Sequence, residues 1–440
     1  MLKLNLGKYE EILNNCHLTK DSGKVTEVTG LLIKGFLPGA SVGSVCSIET
    51  PHLSKPLLAE VVGFKDRQVL MMALHEMRGV SLGCKINLSR SVATVRVSDE
   101  LLGRVVDGMG LPIDDGPELH NFKEFPLYAD VVNPLRREPI REPLDVGVRA
   151  INSAITAGRG QRVAIMAGSG VGKSVLMGMM AKQTEADVNV IALIGERGRE
   201  VREFIEHELG EEGMRKTVVV CVTSDQSPLL RMRGAYVATA IAEYFAKNSK
   251  NVLLVMDSVT RFAMAMREIG LSIGEPPTSR GYTPSVFSTL PKLLERAGNF
   301  ENAGSITGFY TTLVEGDDMN DPIGDSVRSI VDGHIVLSRS LAQKGHFPAI
   351  DVLQSASRVM KAVTSSDHSK MASKMRELMA TYKEAEDLIN IGAYKAGANP
   401  KIDRAVKSID QINEFLKQKT TETGTMSQCL RTLQQITMGM

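Results

Sequence analysis

The chain has 440 residues, 43% hydrophobic and 23% charged, with a formal net charge of +1. This length suits about two or three domains. With no basic tail and no run of like charge, nothing in the bulk electrostatics points to DNA, RNA or anionic lipid. The cysteines, Cys16, Cys46, Cys84, Cys221 and Cys429, are scattered, odd in number and lack CxxC spacing. That argues against a disulfide framework or a zinc site and fits a reducing cytosol. The N-terminus MLKLNLGKYEEILNN lacks the apolar run of a signal peptide, and no stretch approaches the roughly 18 apolar residues of a membrane span. A cytoplasmic, soluble protein is expected, meeting membrane only through a partner or a surface segment.

In chain order, Leu2, Leu6, Tyr9 and Leu13 have helical spacing, interrupted by Gly7. They fit a short partner-binding or membrane-surface helix, or equally a tail packed lightly on the body. Residues 20–90 read as short strands, such as Lys24–Lys34, Ser44–Ile48 and Ala59–Phe64, with Lys65–Gln68 (KDRQ) as a hairpin turn before VLMMAL. Gly-rich punctuation between short strands predicts a small β-barrel. Residues 103–117 are turn-rich, and Pro126, Pro134, Pro139 and Pro143 follow. Proline removes backbone donors, so this passage is expected to be extended connection.

From about residue 160 apolar runs of strand length alternate with helix-length segments: Arg162–Ala167, Asn189–Ile194, Thr217–Val222 and Asn251–Met256. Near-continuous Val, Ile and Leu with helices between is the parallel α/β signature. After about residue 362 the strand pattern ends. Met375, Leu378, Met379 and Tyr382 then keep helical spacing, which predicts a C-terminal helical bundle.

The chemistry begins in the first of those α/β segments. AGSGVGKS, residues 167–174, follows the run RVAIM and precedes a helical segment. Strand, glycine-rich loop and helix N-terminus together form a phosphate cradle, the P-loop. Gly168, Ser169, Gly170, Val171 and Gly172 would curl backbone N–H groups towards one centre. Lys173 would reach the β- and γ-phosphates, and the Ser174 hydroxyl would ligate Mg²⁺. Ala167 stands where the usual pattern has Gly, a minor departure.

Glu196, in IGERGREVREF, ends a predicted buried strand and can face the γ-phosphate, where a carboxylate polarises water; Arg197 beside it can meet phosphate charge. A solvated ERGRE turn with internal ion pairs fits the spacing as well. Asp257 ends NVLLVMD, the expected second magnesium element, although it also fits a helix N-cap. In HFPAIDVLQSASRV, Phe347 suits an adenine stack or a core aromatic, and Arg358 an arginine finger or a surface arginine. Spacing does not choose between them. The acidic stretch EGDDMNDPIGDS, residues 315–326, lacks the Gly and Glu of a calcium loop and reads as a solvated mobile loop.

AGSGVGKS, IGERGREVREF, LLVMDSVTRFAMAMREIGL, GSITGFYTTLVEGDDMNDPIGDSVRSIVDGHIVLSR and HFPAIDVLQSASRV together resemble the ATPases of type III protein export, over about residues 20–420. Those enzymes are similar to the catalytic subunits of rotary ATP synthases. The resemblance implies a RecA-like P-loop α/β core with an N-terminal small β-barrel and a C-terminal helical domain. The corresponding division is 1–20 as a partner-binding segment, 21–90 as barrel, 91–362 as nucleotide-binding domain and 363–440 as helical domain. It implies that Glu196 polarises the water with Arg197 near the γ-phosphate, that Asp257 is linked to Mg²⁺, that Phe347 stacks on adenine and that Arg358 acts across a subunit interface.

A chain carrying both loop and finger implies a homohexameric ring. The implied partners are a central stalk, a regulatory or stator protein, a membrane export gate and chaperone–cargo complexes, at the cytoplasmic face of the inner membrane. Residues 390–406, NIGAYKAGANPKIDRAV, stand where rotary synthases carry an acidic DELSEED segment. Glu196 argues against a non-catalytic subunit, and no basic–aromatic run supports an RNA translocase. Within the family, the N-terminal segment and residues 390–406 resemble the flagellar branch more than the injectisome branch.

Overall fold

The computed structural model describes residues 21–51, 55–130, 132–314 and 321–438. The segment carrying Leu2, Leu6, Tyr9, Leu13 and Cys16 lies outside them. The chain divides into two compact units, Met1–Ala93 with Leu271–Glu275 and Thr94–Gly270 with Pro276–Met440.

In the first unit β1 (Ser22–Thr29), β2 (Leu32–Phe36), β3 (Val45–Ile48), β4 (Leu57–Lys65), β5 (Gln68–Ala73) and β6 (Lys85–Arg90) close a barrel in the order β1-β2-β5-β4-β3-β6. Its interior is filled by buried side chains that include Ile33, Ile48, Val61, Met71 and Ile86. The β4–β5 hairpin reverses at Asp66 and Arg67, with φ of 48° and 65°. Two successive left-handed residues match the right-handed twist of the strands, as in a type I′ turn, and they lie inside the KDRQ turn read from the sequence. One expectation needs correction. Lys24–Lys34 is not one strand, because Gly30 at φ 57° reverses the chain and pairs Thr29 with Leu32.

The second unit holds β7 (Thr94–Val97), β8 (Val105–Val106), β9 (Lys123–Pro126), β10 (Arg162–Ala167), β11 (Val188–Glu196), β12 (Thr217–Thr223), β13 (Val252–Asp257), β14 (Gly298–Asn299), β15 (Ser305–Leu313), β16 (Gly333–Leu337) and β17 (Ile350–Ser357). The main sheet runs β17-β16-β10-β15-β13-β11-β12-β8, with β14 beside β15, and β7 pairs β9 separately. All main-sheet pairings are parallel except those of β14 and β17. β10 to β13 lie where the apolar runs predict them. β15 escapes that reading because Thr and Gly interrupt SITGFYTTL. β8 is an edge strand inside the segment expected to be turns; its two valines pair with Val219 and Val220.

Helices Ser366–Asn390, Pro400–Leu416 and Met426–Met438 form the C-terminal helical domain. Met375 and Leu378 are buried, and Met379 and Tyr382 pack against the same core. Ile412, Phe415, Leu433 and Ile436 join one continuous apolar cluster with Ile335, Ile350 and Val352 of the sheet, so these helices are anchored on the nucleotide-binding core. Within the acidic stretch, Asp321 caps helix Pro322–Ile330 by accepting from the N–H groups of Ile323 and Gly324 at 3.0 Å. Residues 321–326 are thus ordered by a capping carboxylate, against the expectation of a mobile loop, and residues 315–320 lie outside the described residues. Among the described residues Cys46, Cys84, Cys221 and Cys429 are free and buried, and no helix is long and apolar enough to cross a membrane.

The proline-rich connection is held by a buried ion pair. The Arg296 guanidinium, 2% exposed, donates to both oxygens of Glu243 at 2.7 and 2.8 Å and to the Leu127 carbonyl at 2.8 Å. This joins the chain just after β9 to helix Pro228–Lys247. Removing one member of a buried pair strands the other charge and costs about 3–5 kcal/mol. Glu243→Ala is therefore expected to lose that amount in urea unfolding; a loss under about 1 kcal/mol would show that the pair does not hold this connection.

Candidate active site

The functional side chains converge where the parallel strands end. β10 runs into the loop Gly168–Gly172, and helix Lys173–Gln183 begins directly after it. Gly170 and Gly172 have φ of 75° and 87°, values that favour glycine, and let the loop curl into the helix N-terminus. Ser174 is exposed in the first helical turn. β13 delivers Asp257 and β11 delivers Glu196 to the same edge. β11 is not adjacent to β10; β15 and β13 lie between them. Glu196 nevertheless reaches the loop, because β11 runs to nine residues and bulges at Gly195. Gly195 has φ of 71°, and a Cβ there would stand 2.9 Å from Cβ of Arg261.

One ammonium ties these ends together. Lys173 Nζ donates to Asp257 Oδ1 at 2.6 Å and lies 3.5 Å from Glu196 Oε1. Thr311 Oγ1, on β15, donates to the same Asp257 oxygen at 2.6 Å. Burial alone would lower the lysine, but the Asp257 and Glu196 charges outweigh it and hold the ammonium above its ordinary value. Burial, and then the Asp257 charge, push Glu196 above the usual glutamate range, with Lys173 opposing. Lys173 and Glu196 line a crevice of about 680 Å³ together with Arg197, Arg261 and Arg339, and the lysine is bonded to the buried Asp257.

A second cavity of about 920 Å³ continues from Gly172 and Val175 past Leu176, Met179, Phe347 and Pro348. Phe347 is 46% exposed, and its ring lies 3.6 Å from where a Cβ on Gly172 would stand. The exposed ring beside the loop is not a core aromatic. The far wall is the segment 417–422, between the last two helices. Gln418 N–H donates to the Phe347 carbonyl at 2.9 Å, Arg149 Nη1 to the Lys417 carbonyl at 2.9 Å, and Gln183 to the Glu422 carbonyl at 3.0 Å. Sequence reasoning missed this wall, because KQKTTET carries no motif.

Of the three arginines of interest, Arg197 is on the rim, exposed and paired with Glu200 at 3.0 Å. Arg261, which sequence reasoning passed over, lines the phosphate crevice with its Nε buried and without a hydrogen-bond partner. Its signal was one helical turn after Asp257, in MDSVTRF. Arg358 is not in this crevice. It follows β17, whose antiparallel course pairs Ile350 with Leu337 at the loop edge and Ser357 with Gly333 at the opposite edge. Phe347 and Arg358, neighbours in one motif, therefore stand at opposite edges of the sheet.

Known proteins resemble this chain in sequence and fold. Residues 147–357 match the nucleotide-binding domain of the ATP synthase alpha/beta family, residues 25–88 its beta-barrel domain, and residues 364–435 the T3SS EscN ATPase C-terminal domain. The "Flagellum-specific ATP synthase" of Bacillus subtilis (strain 168) is 52% identical, with 95% of each chain covered. The "Type 3 secretion system ATPase" of Sinorhizobium fredii (strain NGR234) is 49% identical, covering 91% of this chain and 88% of that one. The assembled ATPase EscN of the enteropathogenic E. coli type III secretion system superposes with a TM-score of 0.89 at 46% identity, covering 94% of this chain and 100% of that one. EscN has also been solved in complex with its central stalk EscO, with a TM-score of 0.87 to this chain. Together, the barrel, the crevice and the EscN-type helical domain make this chain a member of the type III secretion ATPases, within the ATP synthase alpha/beta family.

Proposed function

We propose that this chain hydrolyses MgATP to energise type III protein export in flagellar assembly, working as a homohexameric ring at the cytoplasmic face of the inner membrane. The observation that carries the reading is the meeting of Lys173 with both Glu196 and Asp257 beside the phosphate loop. The 52% identity to a flagellum-specific relative supports the flagellar branch.

In this reading the N–H groups of Gly168–Ser174 cradle the phosphates, and Lys173 exchanges Asp257 for the β- and γ-phosphates. The Ser174 hydroxyl and the Asp257 carboxylate are hard oxygen donors that fit Mg²⁺, directly or through water. Among the described residues no group of three His, Cys, Asp or Glu forms an all-protein cage, which agrees with an ion held by one or two protein groups and the substrate. When bound, Mg²⁺ would supply charge neutralisation to the phosphates. Glu196, once ionised, polarises the attacking water. Arg197 approaches the γ-phosphate from the rim, and the adenine lies on Phe347 against residues 417–422.

Arg358, at the far edge of the sheet, serves the next subunit. Ring motions are passed to a central stalk, a partner of the kind with which the relative EscN has been solved. A regulatory or stator protein, a membrane export gate and chaperone–cargo complexes complete the set, and membrane contact is peripheral. No nucleic acid is involved.

Glu196→Gln is expected to bind ATP within a few-fold of the parent and to lose roughly 10²–10⁴ in turnover, the usual worth of a general base. Because the folded state raises the carboxyl, folding binds its proton more tightly, and the parent loses stability as pH rises through the raised value. Glu196→Gln should therefore melt at or above the parent at pH 8, with the gain shrinking towards pH 5. A variant with full turnover would remove the role. In the cell, deletion of the gene should abolish extracellular flagellin and swimming, restored by the wild type and not by Glu196→Gln. Full export with Glu196→Gln would make the ring a loading platform. Normal flagella after deletion would instead favour injectisome secretion, the system of the 49% identical relative.

A further inference from the structure

Arg358 is presented from a fixed piece of backbone. Its own N–H donates to the Asp332 carbonyl at 2.9 Å, and its Nη2 reaches the Arg328 carbonyl at 3.4 Å. The Asp332 carbonyl also accepts from Gln161 Nε2 at 2.9 Å, and the same Nε2 donates to Ser357 Oγ at 3.2 Å. Gln161 is fully buried, so this contact is shielded from water. The Asp332 carboxylate faces Arg162, accepting from its Nε at 3.0 Å, its Nη2 at 3.2 Å and its backbone N–H at 3.3 Å. Arg162 pairs in addition with Glu295.

Two-pronged arginine–carboxylate pairs fix orientation as well as distance. Arg162 is also the first residue of β10, whose last residue leads into the phosphate loop. At about 3.3 Å per residue, its six residues set the two edges roughly 17 Å apart. One strand thus carries the phosphate loop at one end and, through Asp332, the seat of Arg358 at the other.

We propose that the Arg162–Asp332 pair is a positioning element for Arg358. It holds the 332–333 and 357–358 backbone from which the guanidinium reaches the neighbouring subunit's ATP. This rests on the reading that Arg358 acts across the interface. Asp332 touches no residue of its own nucleotide crevice among the contacts described, so its effect on hydrolysis should belong to the neighbour's site.

The test is complementation in mixed rings. Asp332→Asn keeps the shape and removes the charge that orients Arg162. Alone it should bind a fluorescent ATP analogue within about twofold of the parent and lose at least about tenfold in kcat. Mixed with Lys173→Ala subunits, which keep the finger and lack the loop lysine, activity should rise above that of either variant. Mixed with Arg358→Ala subunits it should not rise, since both lack a working finger. Arg358→Ala with Lys173→Ala is the control, and no rise there would sink the trans reading itself.

If the control rises, three results overturn the positioning role: full kcat in Asp332→Asn, no rescue by Lys173→Ala, or rescue by Arg358→Ala, which would place the defect in the variant's own site. Arg162→Lys, which keeps the cation and loses the fork, should give the same pattern and serves if Asp332→Asn does not fold.

Discussion

The structure turns on a single ammonium between two carboxylates. Lys173 meets Asp257 at 2.6 Å and Glu196 at 3.5 Å, and these three residues come from three different elements of the core. Two carboxylates this close would repel each other in a half-buried crevice, and the lysine makes the arrangement tolerable. In the proposed function the same lysine would turn from Asp257 to a phosphate. Binding of a magnesium nucleotide would then be an exchange of partners, with phosphate replacing Asp257 on the lysine and Asp257 left to hold the metal. Such an exchange would favour the complete substrate, because phosphate without the cation would leave Asp257 uncompensated.

The rest of the second unit exists to hold that exchange in register. Parallel strands bring Ala167, Glu196, Asp257 and Leu313 to one edge. Thr311 fixes the aspartate oxygen that the lysine shares. The C-terminal helices close the cavity beside Phe347 through Gln418 and Arg149 and sit on the sheet's own apolar core. The antiparallel strand β17 then separates Phe347 from Arg358 by the depth of the sheet. A subunit built this way carries the phosphate loop on one edge and Arg358 on the other, the placement that the proposed ring would need.

Much of this was legible in the sequence, for identifiable reasons. β10 to β13 are near-continuous apolar runs rich in Val, Ile and Leu, so burial on both faces was written in composition. The phosphate loop was legible because glycine is required where φ is positive. β15 was not, since threonine and glycine interrupt its buried Ile306, Phe309 and Tyr310. β8 is two residues long and borrows its pairing from β12. Asp321 looked like one more charge in an acidic loop; its capping role depends on where the next helix starts. Glu196 and Phe347 were ambiguous because spacing cannot show which strands are neighbours or which aromatic stays exposed. The cavity wall at 417–422 and the Arg261 side chain come from distant or unpatterned segments, and only the folded chain brings them to the site.

The central claim is the partner exchange at Lys173. A structure of this protein with a non-hydrolysable ATP analogue and Mg²⁺ tests it most directly. The account expects Lys173 Nζ on β- or γ-phosphate oxygens and no longer within ~3.2 Å of Asp257, with Ser174 and Asp257 facing the metal. A bound nucleotide with the Lys173–Asp257 bond still intact would contradict it.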